Sequence, residues 1–275
     1  MAKNKIALPV LQEKQHFEVL DGLRGIAALA VVTFHFMEWA FEPGKNFIGH
    51  GFLAVDFFFC LSGFVIGHAY NDRIAKMGVF RFFTSRIIRL RPLVLAGSVL
   101  GLLAFMFDPF GGHPELYSTG KIILTFICSI LLIPLPVIAD RSFNLFSFNV
   151  PAWSLFWEYI ANIVYAFMLY RTRRSYLLLL TLLSAVAICF VAHSSGNLLG
   201  GWSGARFSLS FLVGLLIYRS NWIIENKVGF ISLTVLLLSA FLMPSSKWDW
   251  FIRAFSRNAL HSLTDRIGGR CDISP

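Results

Sequence analysis

Arg24 and His35 stand inside the apolar stretch LDGLRGIAALAVVTFHFMEWA. Ionisable groups in such surroundings are costly and point to function. Eleven steps at ~3.6 residues per turn make almost three turns, which puts both on one helix face about 16 Å apart. They cannot touch, but they can mark the ends of one polar track. Histidine is the common side chain that titrates near neutrality, and a neutral imidazole at position 35 can take a proton from a hydroxyl. The plainer alternative is that Arg24 snorkels to an interface while His35 caps a carbonyl.

Three further segments carry candidate chemistry. In GFLAVDFFFCLSGFVIGHAY the polar members are Asp56, Ser62 and His68, with Gly63 permitting close helix approach. Asp56 and Ser62 do not share a helical face, so no triad is drawn and packing is the preferred reading of Ser62. In RFFTSRIIRLRPL, Arg86 and Arg89 lie three apart, on one side of a helix if the stretch is helical. Such a pair suits bidentate binding of a phosphate, although an ordinary topological cluster of positive charge explains it more simply. In FNVPAWSLFWEYIANIVYAF, Pro151 fits a first helical turn, and Ser154, Glu158, Asn162 and Tyr165 follow at steps of four, four and three. They form a polar stripe flanked by Trp153 and Trp157 at the expected interface. A carboxylate there can orient or charge-balance a histidine. It can equally pair with a buried arginine such as Arg24 or Arg206 and only stabilise a bundle.

The elements that must position these groups follow from composition. The 275 residues are 56% hydrophobic and 14% charged, with 29 Phe. An average soluble domain is about a quarter charged, so lipid must solvate much of this chain. Spanning ~30 Å of hydrocarbon takes ~20 apolar residues. Eight stretches qualify, at 22–40, 49–70, 92–108, 121–138, 152–170, 176–193, 205–219 and 228–243, the third and seventh being short. The expected fold is an all-α, polytopic transmembrane helix bundle over 1–250, followed by a polar, basic tail at 251–275. Arg73, Lys76, Arg81, Arg86, Arg89 and Arg91 place a 71–91 loop in the cytoplasm, and with it the N-terminus. Arg171, Arg173 and Arg174 belong on that side too. Eight full crossings would put them on the other, so one stretch between 92 and 150 is expected not to cross.

Several classes drop out. The formal net charge of +9 is confined to clusters between apolar runs, which argues topology and against nucleic acid. Cys60, Cys128, Cys189 and Cys271 lack paired spacing, so neither a disulfide framework nor a metal site is expected. The N-terminus carries no cleavable leader pattern, so the first apolar stretch is expected to remain as a helix.

At this point the residues resemble a known family, the family-three membrane acyltransferases, which include bacterial O-antigen and exopolysaccharide O-acetyltransferases. LDGLRGIAALAVVTFHF resembles the family's opening Arg and His, here Arg24 and His35. VDFFFCLSGFVIG is similar to its FF-x-LSGF signature around Asp56, Ser62 and Gly63. SRIIRLRPL resembles its R-x-x-R, here Arg86 and Arg89 before Pro92, and PAWSLFWEY its W-S-L-x-x-E, here Trp153, Ser154 and Glu158. Four motifs in order across 21–165 are specific together.

The resemblance implies a bacterial inner-membrane enzyme with no bound cofactor. Acetyl-CoA or a similar acyl-CoA would be the co-substrate from the cytoplasm, and a glycan or lipid-linked saccharide the acceptor from the other side. It implies His35 as the central catalytic residue, with Glu158 in the same site. Arg24, Arg86 and Arg89 would support donor binding, with Asp56, Ser62, Trp153, Ser154 and Tyr165 in supporting places. Such proteins usually have about ten spanning helices. Eight before a polar tail is the pattern of a member lacking its last helices, and Pro92 is followed by Leu-Val where an aromatic is usual. Two other classes compete: a proton- or anion-coupled transporter using Arg24, His35 and Glu158, and an inactive, shortened acyltransferase.

Overall fold

The computed structural model describes residues 18–40, 48, 50–108, 113–141, 144–195, 203–220 and 230–242. Among the described residues there are helices and no strands. The helices are α1 (Glu18–Ala40), α2 (Leu53–Tyr70), α3 (Ile74–Met77), α4 (Val79–Met106), α5 (Thr119–Leu131), α6 (Ala152–Phe167), α7 (Arg174–Ser195), α8 (Ser203–Ser220) and α9 (Phe230–Phe241). Val19–Met37, Leu53–Tyr70, Val79–Met106 and Arg174–Val191 are long and apolar enough to cross a membrane. This is an all-α, multi-pass membrane protein. The tail at 251–275 and Cys271 lie outside the described residues.

Two of the eight expected stretches take another form. The segment at 92–108 is the second half of α4, which runs 28 residues from Val79 to Met106. The expected 71–91 loop shrinks to a turn, the short α3 and Gly78. The reason is a buried stripe, Phe82, Arg86, Leu90, Val94 and Ser98, at steps of four along α4. That period is helical, and it carries the basic residues into the helix with it. Pro92 sits inside the helix on an exposed position. The stretch at 121–138 forms only the 13-residue α5. Ser118 caps its start, accepting from the Lys121 amide, and Leu132 closes it in the left-handed region at φ 57. Pro134 and Pro136 then hold the chain extended, since proline lacks the amide donor and disfavours helix before it. Fewer than eight of the described helices are both long and apolar enough to cross, because α5 and α9 are short, α6 has 16 residues and the arginines Arg206 and Arg219 make the 18-residue α8 too polar.

The chain divides into two compact units, Met1–Ala54 with Glu225–Phe251, and Val55–Ile224 with Ile252–Pro275. In the first, α1 buries Leu23, Ala27, Ala30 and Met37, a single stripe along its length. Gly22 of α1 lies under the ring of Phe230 from α9, and the His50 amide donates to the Phe241 carbonyl at 3.2 Å.

The second unit has its core between α2, α4, α6, α7 and α8, built on Phe59, Ile66, Phe82, Tyr165, Leu177, Phe207, Phe211 and Leu215. Helices α2 and α8 approach backbone to backbone. A Cβ on Gly63 would overlap the Phe211 carbonyl, and one on Gly214 the Cys60 carbonyl. Gly63 and Gly67 make the small-xxx-small face that lets helices pack this way without a hydrophobic drive. Arg219, in the last turn of α8, donates to the carbonyls of Leu169 at 2.6 Å, Tyr170 at 3.0 Å and Thr172. It thereby satisfies acceptors left over just beyond the end of α6. Ser98 of α4 and Ser129 of α5 share a buried hydrogen bond of 2.9 Å. The apolar side chains left over, such as Leu179, Leu182, Val186 and Phe190 of α7, point outward as lipid-facing residues do.

Candidate active site

The polar stripe of α6 faces α4 and α2 at one point. Glu158 lies on the seventh position of α6, with the bundle interior on its side. Arg86 from α4 donates through Nη2 to Glu158 Oε1 at 2.6 Å, and Ser62 from α2 donates to the same oxygen at 3.2 Å. The Arg86 side chain is 3% accessible and that of Glu158 19%. A guanidinium so deeply buried needs its carboxylate, and the carboxylate is held by two donors from two other helices. Arg86 Nε remains without a hydrogen-bond partner among the described residues.

A second ion pair lies in the same unit. Arg206 of α8 pairs with Asp56 of α2, and Ser210 donates to the other Asp56 oxygen at 3.4 Å. The aromatic residues pack around these helices: Phe59 meets Phe207 edge-on at 4.5 Å and Trp153 at 6.2 Å, and Trp157 stacks on Phe207 at 5.8 Å. Trp157 also covers Gly204, where any side chain would collide with the indole. The tryptophans are thus half-buried packing residues of the core.

Each candidate from the sequence can now be placed. Ser62, Arg86 and Glu158 come together. The buried arginine that pairs with Glu158 is Arg86, whereas the sequence offered Arg24 or Arg206 for that place. Ser62 is engaged in a hydrogen bond to the carboxylate, where packing had been preferred. Asp56 is with Arg206 and Ser210, a different cluster. Arg89 is exposed on α4 while Arg86 is buried, so the two guanidiniums occupy different surroundings. Ser154 turns back to the Pro151 carbonyl at 2.9 Å and serves the first turn of α6. Asn162 and Tyr165 are fully buried, and neither the Asn162 amide nor the Tyr165 hydroxyl has a hydrogen-bond partner among the described residues. Arg24 and His35 belong to the first unit, both on α1. Arg24 pairs with Asp21 at 3.0 Å, and His35 is exposed beside Phe34 with ring centres 5.4 Å apart.

Arg206 and Arg219 are the functional-looking residues that sequence reasoning underused. For Arg206 the signal was available, since an arginine in the body of an apolar helix requires a partner. Among the described residues no group of three or more His, Cys, Asp or Glu could hold a metal ion, and Cys60, Cys128 and Cys189 are free thiols.

A multi-pass helix bundle with a buried Arg–Glu–Ser cluster at mid-helix defines a membrane enzyme or carrier, and comparison with known proteins separates the two. The profile of acyltransferase family 3, described as an acyltransferase domain, matches residues 17–260. The chain belongs to this family and is a membrane acyltransferase. It is 32% identical over 190 residues to Protein 2 in picA locus of Rhizobium radiobacter, covering 65% of this chain and 95% of that one. It is 34% identical over 101 residues to a putative peptidoglycan O-acetyltransferase of Bacillus subtilis, covering 34% of this chain and 15% of that one. It is also 29% identical over 103 residues to a peptidoglycan O-acetyltransferase of Listeria monocytogenes, covering 38% of this chain and 15% of that one. No solved structure matches the chain.

Proposed function

We propose that the chain moves an acetyl group from an acetyl-CoA-type donor on the cytoplasmic face to a carbohydrate hydroxyl of an exported or cell-surface glycan. The observation that carries this reading is the Arg86–Glu158–Ser62 cluster, a charge-balanced, hydroxyl-bearing site at mid-helix in an acyltransferase-family chain. The peptidoglycan O-acetyltransferase names of two relatives favour acetyl as the group and a glycan as the acceptor. His35 serves as the base on the acceptor hydroxyl, a role a neutral imidazole fills near neutral pH. Glu158 holds the second proton-accepting place, and Arg86 keeps it oriented. Arg24 supports the donor. Arg89, exposed on the same helix as Arg86, meets the donor's phosphates with its planar fork.

The shortness of α5 supports an orientation in a bacterial inner membrane with the N-terminus in the cytoplasm. Thirteen residues rise about 20 Å, short of the ~30 Å hydrocarbon layer. With α5 not crossing, the N-terminus, the basic residues before α4, the 171–174 turn and Arg219 all fall on the cytoplasmic side. That arrangement puts these basic clusters on the side the positive-inside rule expects.

The test is transfer of labelled acetyl from acetyl-CoA to a glycan extract in membranes carrying the chain, beside a His35→Ala variant inserted at equal level. Label in the glycan with the intact chain, and at least a hundredfold less with His35→Ala, is the expected result, in line with the roughly 10²–10⁴-fold worth of a general base. Equal transfer by the two would remove His35 from the mechanism. Donor consumption at the background rate of empty membranes would refute the acyltransfer reading.

A further inference from the structure

We propose that Ser62 is an acyl-carrying nucleophile: the group leaves the donor as an ester on Ser62 Oγ before it reaches the acceptor. This rests on the acyltransfer reading above and specifies its path.

The first ground is what Ser62 does not do. A hydroxyl inside a helix ordinarily bonds back to the carbonyl one turn earlier. Thr84, Thr181, Ser208 and Ser220 all do so here, at 3.0, 2.7, 2.7 and 2.7 Å. Ser62 instead donates to Glu158, 96 residues further along the chain. A hydroxyl pointed at a carboxylate is the arrangement of an activated nucleophile and its base.

The second ground is the state of the neighbours. Glu158 Oε1 accepts from both Arg86 and Ser62, so the base is already oriented toward the hydroxyl proton. Arg86 is buried and its Nε–H has no hydrogen-bond partner among the described residues. A buried donor without an acceptor costs stability in the resting protein. It becomes useful when negative charge appears beside it, as on a tetrahedral oxyanion. Ser62 and Glu158 are both only partly buried, which leaves an acyl group a way in.

The third ground is depth. Ser62 is the tenth of the 18 residues of α2, about 14 Å from its start and about 12 Å from its end. A donor on one face and an acceptor on the other are both served by a station midway.

The chemistry balances without a further reactant. Ser62 Oγ attacks the thioester carbonyl carbon, its proton passes to Glu158, and the oxyanion faces Arg86. Collapse breaks the C–S bond, and the departing thiolate takes the proton from Glu158 to leave as the free thiol. The acceptor hydroxyl then attacks the carbonyl carbon of the Ser62 ester, giving up its proton to His35, the base proposed above. The ester C–O bond breaks, and Ser62 Oγ recovers a proton.

The experiment uses the full chain in lipid nanodiscs with acetyl-CoA labelled in the acetyl group, no acceptor, an acid quench, and mass spectrometry of the digest. The expected result is one acetyl increment on the peptide bearing Ser62, released by alkaline hydroxylamine and chased away by added glycan extract. Ser62→Ala should show neither the increment nor transfer. Ser62→Cys should still take the acetyl, now as a thioester, which reports that the site is folded. Varying donor and glycan should give the parallel initial-rate lines of a two-step exchange. Free CoA and acetylated glycan from the wild type with Ser62 unmodified, and undiminished transfer by Ser62→Ala, would overturn the proposal and leave the acyltransfer reading standing. Release of no CoA by the wild type would overturn both.

Discussion

Replacing Arg86 by Met separates what the buried ion pair does for stability from what it does for chemistry. The variant leaves Glu158 in an apolar setting with one hydroxyl donor in place of a hydroxyl and a guanidinium. Breaking a buried pair by removing one partner costs about 3–5 kcal/mol. Because the Glu158 side chain keeps 19% of its accessibility, the lower end applies, about 3 kcal/mol. At 1.4 kcal/mol per decade that is roughly a hundredfold in the folded-to-unfolded ratio. Replacing both residues by Met removes the uncompensated charge, and stability should return to within about 1 kcal/mol of the wild type. Transfer should not return, because the base has gone as well. Denaturation in detergent micelles, followed by the fluorescence of the seven tryptophans, reads the stability of all three proteins. An Arg86→Met variant as stable as the wild type would refute the reasoning. So would a double variant no more stable than the single one, which would mean that the pair supplies more than mutual neutralisation.

Other consequences can be checked the same way. Gly63→Ala drives a methyl into the Phe211 carbonyl and must push α2 and α8 apart, costing about 1–3 kcal/mol in the same denaturation. Gly25→Ala on α1, with nothing within 4 Å of the added carbon, should be neutral or gain up to about 1 kcal/mol. Arg219→Ala strands the carbonyls of Leu169, Tyr170 and Thr172, and should destabilise by about 2 kcal/mol, with faster proteolysis near residue 172. Arg89→Lys should raise the KM for acetyl-CoA several-fold while leaving stability unchanged, since the exposed fork meets phosphate and holds no helix together. An unaltered donor KM would remove Arg89 from donor binding.

The sequence made Glu158 conspicuous because a carboxylate within an apolar helical stripe has few innocent explanations. Its partner was hidden for two physical reasons. Arg86 lies 72 residues away, and sequence spacing carries no information on which buried arginine meets which carboxylate. The arginines of 81–91 also raise the local polarity enough to imitate a loop, although Phe82, Arg86, Leu90, Val94 and Ser98 keep a four-residue step throughout. Spacing compares Ser62 only with residues of its own helix such as Asp56, and carries nothing about a partner from α6. The end of α5 was written in Pro134 and Pro136. Hydropathy ran through them because the residues around them, Ile133, Leu135, Val137 and Ile138, are as apolar as a spanning helix. What read across directly was the class of element, the approach of Gly63 to another helix and the start of α6 at Pro151.

Helices α4 and α5 lie side by side, tied by the Ser98–Ser129 hydrogen bond, yet one has 28 residues and the other 13. Their lengths are about 42 and about 20 Å, on either side of the ~30 Å that acyl chains fill. Ile123, Leu124, Ile127 and Leu131 of α5 present an exposed apolar face of the kind lipid covers. The basic first half of α4, with Arg81, Arg86, Arg89 and Arg91, extends beyond what hydrocarbon covers, while α5 ends partway through that layer. One helix, α4, thus carries two duties along its length: its basic half brings Arg86 to Glu158, and its apolar half carries the Ser98 hydrogen bond that holds the short α5.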